Sequence, residues 1–197
     1  TGVILAGPPG VGKSLVAKAM GNAGTLPTLV LDLGGMRQGI VGTSENNLRQ
    51  ALKTIDAISG GQSFWIGTCN DTTSLSPQIR ARFTMGTWML DLPDEQEKLA
   101  IWRVCRQQFP LEGFEYPEDE GWVGRDIYNC LALAWRLNIT PRAAAQYVAP
   151  VAITLREQIT QLRTEAHNRY LSASHPGLYQ QPQTPTVAIV GRQRYEE

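Results

Sequence analysis

The chain lacks an excess of charge of either sign, and it also lacks long apolar runs. Its 197 residues include 18 lysines and arginines and 18 aspartates and glutamates, which gives a formal net charge of zero. Nothing in this balance favours binding to nucleic acid or to an anionic membrane surface. No apolar run reaches the roughly 18 residues that a membrane-spanning helix needs, and no signal peptide is evident. We therefore expect neither nucleic acid nor a membrane as a partner.

Cysteine is scarce as well. Cys69, Cys105 and Cys130 are too few and too far apart in the sequence for a disulfide framework or a metal cluster. We expect all three to be reduced and to act as small apolar side chains. This use of cysteine favours a cytoplasmic protein.

Strand-like apolar runs alternate with helical patterns in the first half of the chain. The runs predict strands at GVILA, TLVLDLG, SFWIGTCN and TWMLDLP. Such alternation is typical of an α/β fold with a mostly parallel sheet. The chain begins inside the first run and without Met, so we expect further sequence upstream. Beyond Pro93 the patterns are helical, with Thr140 as an N-cap before Pro141 and a break at Pro150.

The segment after the first strand is a phosphate-binding motif. Residues 7–14, GPPGVGKS, match the pattern G-x-x-x-x-G-K-[ST] at every fixed position, between a predicted strand and a predicted helix. The glycines allow consecutive backbone N–H groups to surround a phosphate at the helix N-terminus. We expect Lys13 to reach the β- and γ-phosphates and Ser14 to place its hydroxyl on Mg²⁺. The motif thus predicts ATP and Mg²⁺ as cofactors, with the binding residues Pro9, Gly10, Val11, Gly12, Lys13, Ser14 and Leu15.

Four further segments resemble motifs of the AAA ATPases, which are P-loop NTPases of the AAA+ superfamily. They are VGTSENNLRQAL, IGTCNDTTSLSPQIRARF, DLPDEQEKLAIW and GWVGRDIYNCLALA, in the order found in that family. The chain is most similar to the stand-alone, single-ring AAA ATPases of bacteria, plastids and phages. The resemblance implies a three-layer α/β P-loop domain followed by a small all-helical lid. It also implies ATP hydrolysis, a hexameric ring and the remodelling or unfolding of a protein partner.

The second of these segments contains three residues to which the resemblance assigns roles. Asn70 matches sensor 1, which orients the attacking water near the γ-phosphate; the alternative is an Asx-turn residue at a strand end. Arg80 and Arg82 match the arginine fingers, which act on the nucleotide of a neighbouring subunit. The family has one more residue between its two arginines and an Asp after the Phe that follows. The choice of finger is therefore open, with Arg82, beside Phe83, preferred, and a solvated helix face is the alternative for both.

Arg125 and Ile40 also correspond to functional positions of the family. Arg125 stands where the wider AAA+ superfamily places a sensor 2 arginine, which contacts the γ-phosphate from the lid. A surface arginine at a helix start is the alternative. Ile40 stands at the pore-loop position, where peptide-threading relatives have an aromatic residue with a larger stacking surface. Contact with a protein substrate near Ile40 is therefore one interpretation, and a simple loop role is the other.

These patterns divide the chain into three parts. We predict an α/β nucleotide-binding domain over residues 1–93, a helical lid over residues 94–172 and an extended C-terminal arm over residues 173–197. Within the arm, TVAIV is a candidate docking strand.

One expected element has no counterpart in the sequence. The family's second acidic motif, an apolar strand that ends in Asp-Glu, holds Mg²⁺ and polarises the attacking water. At its place, residues 59–63 lead directly into the next strand. Either the motif has been lost, or a strand and a crossover helix of roughly 30 to 40 residues are missing near residues 59–61. A sheet without its central strand exposes two edges. We therefore expect a missing segment, which would show either as an empty slot between LVLDL and FWIGT or as an undescribed stretch beside that slot.

The predicted function is that of an ATP-binding and ATP-hydrolysing, ring-forming module, on the condition that the acidic segment is missing rather than lost. The alternative is a non-hydrolysing protein in which ATP only controls assembly.

Overall fold

The structure is a computed structural model, and it describes residues 1–24, 27–33, 50–55, 57–58, 60, 62–72, 75, 77–111 and 113–182. Its strands are β1 (Gly2–Ala6), β2 (Thr28–Asp32), β3 (Phe64–Cys69), β4 (Thr87–Met89) and β5 (Leu171–Ser172). Its longer helices are α1 (Lys13–Ala23), α2 (residues 50–55, with 57–58 also helical), α4 (Glu95–Arg106), α5 (Gly124–Leu137) and α8 (Arg156–Ala166). The short helices are α3 (Pro77–Arg80), α6 (Pro141–Ala144), a 3-10 helix (Ala145–Tyr147) and α7 (Val151–Thr154).

The five strands form one sheet in the order β2-β3-β1-β4-β5. Every pair of neighbouring strands is parallel. The central strand β1 is buried along its whole length, as its continuous apolar sequence predicts for a parallel strand that is covered on both faces. The predicted α/β fold with a mostly parallel sheet is therefore confirmed.

The expected empty slot beside β3 is absent. Strands β2 and β3 pair directly, from Thr28 opposite Phe64 to Asp32 opposite Thr68. One residue further on, the N–H of Leu33 donates to the carbonyl of Thr68 at 2.9 Å. The expectation was wrong because β2 is itself an apolar parallel strand and satisfies the open edge of β3. Within the described residues, the sheet is continuous and includes no acidic strand between these two.

Apolar side chains pack on both faces of the sheet. One face meets α1 in a cluster of Val3, Leu5, Ala17, Ile66 and Leu90. The opposite face packs into the largest cluster, which includes residues of α8 and of the segment after it. The buried members of that cluster are Ile4, Ala6, Leu33, Leu52, Trp65, Cys69, Leu75, Ile79, Phe83, Met89, Leu162, Ala166, Tyr170 and Tyr179.

The helices after Pro93 have a separate core around Trp102, which is 1% exposed. Helix α4 begins with a capping box, in which Asp94 and Glu97 each accept the backbone N–H of the other. Thr140 caps α6, with Pro141 at its first position, as predicted. No helix in the described part of the chain has both the length and the apolar character that crossing a membrane requires.

Helix α8 returns from this helical part to the sheet. The carboxylate of Asp91, beyond β4, accepts hydrogen bonds from Arg163 Nε at 2.9 and 3.0 Å and from the hydroxyl of Tyr179 at 2.5 Å. Glu165 accepts hydrogen bonds from Thr72 and Tyr170. The predicted lid, residues 94–172, thus includes a helix whose buried residues Leu162 and Ala166 belong to the sheet's core, and it ends in β5, which pairs with β4. The division into three domains stays a prediction, and the candidate strand TVAIV lies outside the described residues.

Candidate functional site

The phosphate-binding motif forms the loop between β1 and α1. Gly10 and Gly12 have φ angles of 89° and 98°, in the left-handed region that glycine adopts without strain. The carbonyl of Gly12 accepts the N–H groups of Leu15 and Val16, both at 2.9 Å. Because the first turn of α1 has no acidic side chain, nothing there neutralises the partial positive charge of the helix N-terminus. The loop therefore has the backbone geometry and the potential of an anion site.

Lys13 lies beneath this loop, with 8% of its surface exposed. Its Nζ donates hydrogen bonds to the carbonyls of Gly7 at 2.8 Å and Pro8 at 2.7 Å. The pKa of Lys13 is lowered to about 8, mainly by burial; Arg125 contributes to the lowering, while Cys69 and Asp32 oppose it. A phosphate beside Nζ would favour the charged form that burial disfavours.

The first turn of α5 contacts the loop. The N–H of Arg125 donates to the carbonyl of Gly10 at 3.2 Å. A Cβ on Gly10 would lie 2.8 Å from Val123 Cγ2 and 2.9 Å from Arg125 Cβ, so no side chain fits there. Asp126 is 3% exposed, and its Oδ2 accepts the N–H groups of Val123 and Val151, both at 3.1 Å. This buried carboxylate therefore caps the start of α5 and joins it to the start of α7.

A cleft of about 870 Å³ opens between the loop, the carboxyl ends of β2 and β3, and the helices α4 and α5. All the residues predicted to bind phosphate, from Pro9 to Leu15, line it. Lys13 and Arg125 give this end of the cleft its positive charge. The wall on the side of α4 and α5 is mostly uncharged and consists of Ala100, Ile101, Val104, Cys105, Gln108, Gly124 and Tyr128.

Two of the predicted catalytic residues line the same cleft. Asn70 directly follows β3, and Arg125 is the second residue of α5; both are exposed. The structure thus brings these two side chains to the loop that carries Lys13 and Ser14. Their roles as sensors 1 and 2 stay predictions.

The two candidate arginine fingers lie elsewhere. Arg80 ends α3, and Arg82 follows in a turn in which its N–H donates to the carbonyl of Ile79 at 3.0 Å. Neither arginine lines the cleft. Phe83, which is 3% exposed, packs edge-on against Trp65 and anchors this turn to the sheet. The finger role stays a prediction, and Ile40 lies outside the described residues.

Two of the three cysteines, Cys69 and Cys130, are buried, and Cys105 is half-buried. Cys69 lines the cleft, and burial raises the pKa of its thiol to about 12, so it is uncharged at neutral pH. Cys130 packs in the helical core, where burial raises its pKa to about 11. All three cysteines are free thiols, which agrees with the sequence prediction.

Sequence reasoning missed four cleft residues on β2 and β3, namely Val30, Asp32, Thr68 and Cys69. Of the described residues that line the cleft, Asp32 alone carries a carboxylate. A signal was present, because TLVLDLG is an apolar run with an acid near its end. Its position beside the phosphate-binding loop depends on strand order, which the local sequence does not specify.

Comparison with known proteins agrees with this geometry. The model of the ATPase family associated with various cellular activities (AAA) matches residues 3–59. An uncharacterized AAA domain-containing protein ycf46 of Gracilaria tenuistipitata var. liui is 36% identical over 95 residues, which cover 45% of this chain and 19% of that protein. An ATP-dependent zinc metalloprotease YME1 homolog of Schistosoma mansoni is 33% identical over 76 residues, which cover 32% of this chain and 12% of that protein.

Solved structures share the fold. The FIGL-1 AAA domain has a TM-score of 0.57 at 15% identity, with 83% of this chain and 76% of that chain covered. The same domain in complex with ADP has a TM-score of 0.56 at 15% identity, with 80% and 78% covered. A katanin structure that addresses the structural basis of katanin self-assembly has a TM-score of 0.55 at 17% identity, with 81% and 77% covered.

The resemblance to the AAA ATPases is confirmed. The chain has the α/β P-loop NTPase fold of an AAA domain, and the family model begins in β1 and includes the whole phosphate-binding loop. The match covers less than a fifth of the length of these two curated relatives. The activity, substrates and partners of the protein as a whole are therefore matters for proposal.

Proposed function

We propose that this AAA domain binds ATP in the cleft and that the bound nucleotide controls its assembly with further copies of itself. The triphosphate lies on the loop, between Lys13 and Arg125, and the base lies against the uncharged wall of α4 and α5. The observation that carries nucleotide binding is the junction of loop and helix, where Arg125 N–H donates to the carbonyl of Gly10 at 3.2 Å. Phosphate binding and the position of α5 are thereby coupled through one short contact.

Mg²⁺ fits this cleft by the chemistry of its donors. Ser14 lies in the first turn of α1, exposed and lining the cleft, and offers a hydroxyl oxygen. Hard oxygen donors, with phosphate oxygens and water, are the ligands that Mg²⁺ prefers. When bound, the ion neutralises charge on the β- and γ-phosphates.

Slow hydrolysis, or none, follows from the direct pairing of β2 and β3. That pairing leaves no strand, in the described part of the sheet, to carry an Asp-Glu pair next to β3. Without a carboxylate to polarise water, a P-loop site binds ATP but lacks a main contribution to turnover. Assembly controlled by ATP is therefore preferred over hydrolysis-driven work.

The assembly we propose is a hexameric ring in the cytoplasm. Arg80 and Arg82 lie outside their own cleft, which suits side chains that act on a neighbouring subunit's nucleotide. In that case ATP stabilises the interface, because its γ-phosphate pairs with a guanidinium of the next copy. We propose no nucleic acid and no membrane as partners.

A second candidate is a hydrolysing ring that remodels a protein partner. The similarity to the YME1 homolog, which is described as ATP-dependent, favours it. Contact with a protein near Ile40 would belong to this function.

One experiment separates the two candidates. The purified protein is incubated with ATP and Mg²⁺, and mass in solution and release of phosphate are measured on the same sample. ATP-dependent assembly with phosphate release no faster than in a Lys13→Ala control supports the proposal. Sustained turnover that the Lys13→Ala variant lacks would favour the remodelling ATPase instead.

A further inference from the structure

Strand β2 occupies the position beside β3 that the acidic strand was expected to fill. Its five register pairs end with Asp32 opposite Thr68. In a parallel sheet, the carboxyl ends of neighbouring strands lie at the same edge, and here that edge also carries the phosphate-binding loop after β1. The pairing therefore brings the acid at the end of β2 to the loop.

Asp32 also lies on the face of the sheet that the cleft requires. Leu29, Leu31 and Leu33 belong to the core cluster on the opposite face of the sheet. Because successive strand residues alternate between faces, Val30 and Asp32 belong to the face covered by α1. Both line the cleft, and Asp32 is exposed to it.

The charges around Asp32 agree with this placement. Its carboxylate raises the pKa of Lys13, against the larger lowering effect of burial. It also helps to raise the pKa of Cys69, whose backbone carbonyl accepts the N–H of Gly7 at 3.3 Å. The carboxylate of Asp32 is thus close enough to the phosphate-binding loop to affect the pKa values of Lys13 and Cys69.

We propose that Asp32 holds the Mg²⁺ of bound ATP, in concert with Ser14, as the carboxylate that the shortened sheet supplies. The inference rests on the proposed ATP binding and adds the residue that makes this binding depend on a divalent cation. The contact would run through a water molecule of the ion's hydration shell, because Mg²⁺ gives up its water reluctantly.

The neighbour of Asp32 limits what this site does. Leu33 follows it, 3% exposed and packed on the opposite face, where the expected acidic motif has a Glu. Asp32 therefore supplies a metal-holding carboxylate without the second carboxylate that polarises water. With β2 in the place of the acidic strand, the site binds MgATP but hydrolyses it slowly.

The test compares ATP affinity with excess Mg²⁺ and with EDTA, in the unmodified protein, in Asp32→Asn and in Asp71→Asn. Asp71 is a matched control, because it is a nearby carboxylate that does not line the cleft. We expect Mg²⁺ to strengthen ATP binding by the unmodified protein and by Asp71→Asn. In Asp32→Asn this gain should fall by about tenfold, the usual effect of removing an outer partner of a metal site. Its affinity in EDTA should be unchanged or slightly higher, since a negative charge near the phosphates is removed.

A second measurement does not depend on nucleotide affinity. Mn²⁺ replaces Mg²⁺ at saturating ATP, and the paramagnetic relaxation of water protons reports the bound ion. A titration with Mn²⁺ should show that Asp32→Asn binds the ion about tenfold more weakly in the ATP complex, and Asp32→Glu should recover part of that affinity. An unchanged ratio of affinities with and without Mg²⁺ in Asp32→Asn would overturn the proposal for Asp32 alone. Failure of the unmodified protein to bind ATP in either buffer would instead overturn the proposed function.

Discussion

Lys13 and Gly10 show how single residues set the state of the cleft. Lys13 donates to two carbonyls of its own loop, which hold its charged group in place. Gly10 joins the same loop to the first turn of α5. The phosphate-binding loop and the start of α5 are thus joined through a few neighbouring atoms.

Lys13→Ala should abolish measurable ATP binding, because both the point charge and the support of the loop carbonyls are lost. Lys18→Ala is the matched control, since Lys18 lies on the same helix and is exposed. Titration calorimetry with ATP checks the pair. If Lys13→Ala bound ATP as tightly as Lys18→Ala, the assignment of the phosphate-binding loop would be wrong.

Gly10→Ala should destabilise the protein more than Gly12→Ala. Both substitutions incur the left-handed strain of an L-residue, about 1 to 2 kcal/mol. A Cβ at Gly10 would also clash with Val123 and Arg125, whereas nothing lies within 4 Å of a Cβ at Gly12. Thermal unfolding without nucleotide measures the difference. Equal losses of stability would mean that the loop and α5 are not in contact in solution.

The residues of the phosphate-binding loop could be predicted from sequence because the motif has fixed spacing and works through its own backbone. Asp32 could not, because its role depends on which strand lies next to β3. Asn70 and Arg125 are predicted as site residues from their resemblance to AAA motifs, and both line the cleft. Each directly follows or begins an element whose end faces the loop in this fold.

At the scale of strands and helices, too, local features could be predicted from sequence, whereas the order of the strands could not. The runs that predict β1, β2, β3 and β4 form these strands, since apolar alternation and length are local properties. The expectation of an empty slot between β2 and β3 was wrong, because strand order responds to open edges across the whole sheet. Helix α8 was assigned to the lid by its position in the chain, while its apolar face packs with the sheet.

Asp91→Ala should loosen α8 from the sheet. The Asp91–Arg163 pair has side-chain exposures of only 14% and 24%, and Asp91 also accepts the hydroxyl of Tyr179. Removing this carboxylate leaves three donors, on Arg163, Tyr179 and the backbone of Leu92, without their acceptor, at a cost of about 1.5 to 3 kcal/mol. Hydrogen exchange should become faster in residues 156–166 and stay unchanged in α5.

Glu115→Ala is the control for this experiment. Glu115 faces Arg142 at 3.6 Å in an exposed pair, with side-chain exposures of 67% and 75%. Exposed pairs of this kind contribute little to stability, so we expect no change in exchange or melting. A response to Asp91→Ala as small as that of Glu115→Ala would show that α8 is held by apolar packing alone.

In the described part of the chain, the sheet with its two apolar clusters and the helical part around Trp102 lie on either side of the cleft. The sheet's cores and the helical core around Trp102 are separate clusters, and the nucleotide site lies where their elements approach each other. A ligand at such a junction changes the relation of the two parts more than the interior of either. A nucleotide bound in the cleft is therefore suited to control a surface formed by the sheet and the helical part together.

Arg82→Ala should impair ATP-dependent assembly and leave the affinity of single subunits for ATP unchanged. Loss of one charge-assisted contact across an interface should raise the concentration for half-assembly by about tenfold. Arg136→Ala, an exposed arginine near the end of α5, is the control. Sedimentation with and without ATP measures both variants. Identical assembly of Arg82→Ala and Arg136→Ala would remove Arg82 from the interface.

The chain returns to the sheet late, when β5 pairs with β4, and this order affects the protein during its synthesis. The hydrogen bonds of Thr72 with Tyr170 and of Asp91 with Tyr179 join residues 98 and 88 positions apart, and β5 pairs with the edge of β4. During translation, β4 leaves the ribosome long before these partners and carries an open edge until they emerge. A nascent chain arrested after α5 should therefore bind chaperones that recognise exposed strands, and one extended past residue 182 should release them.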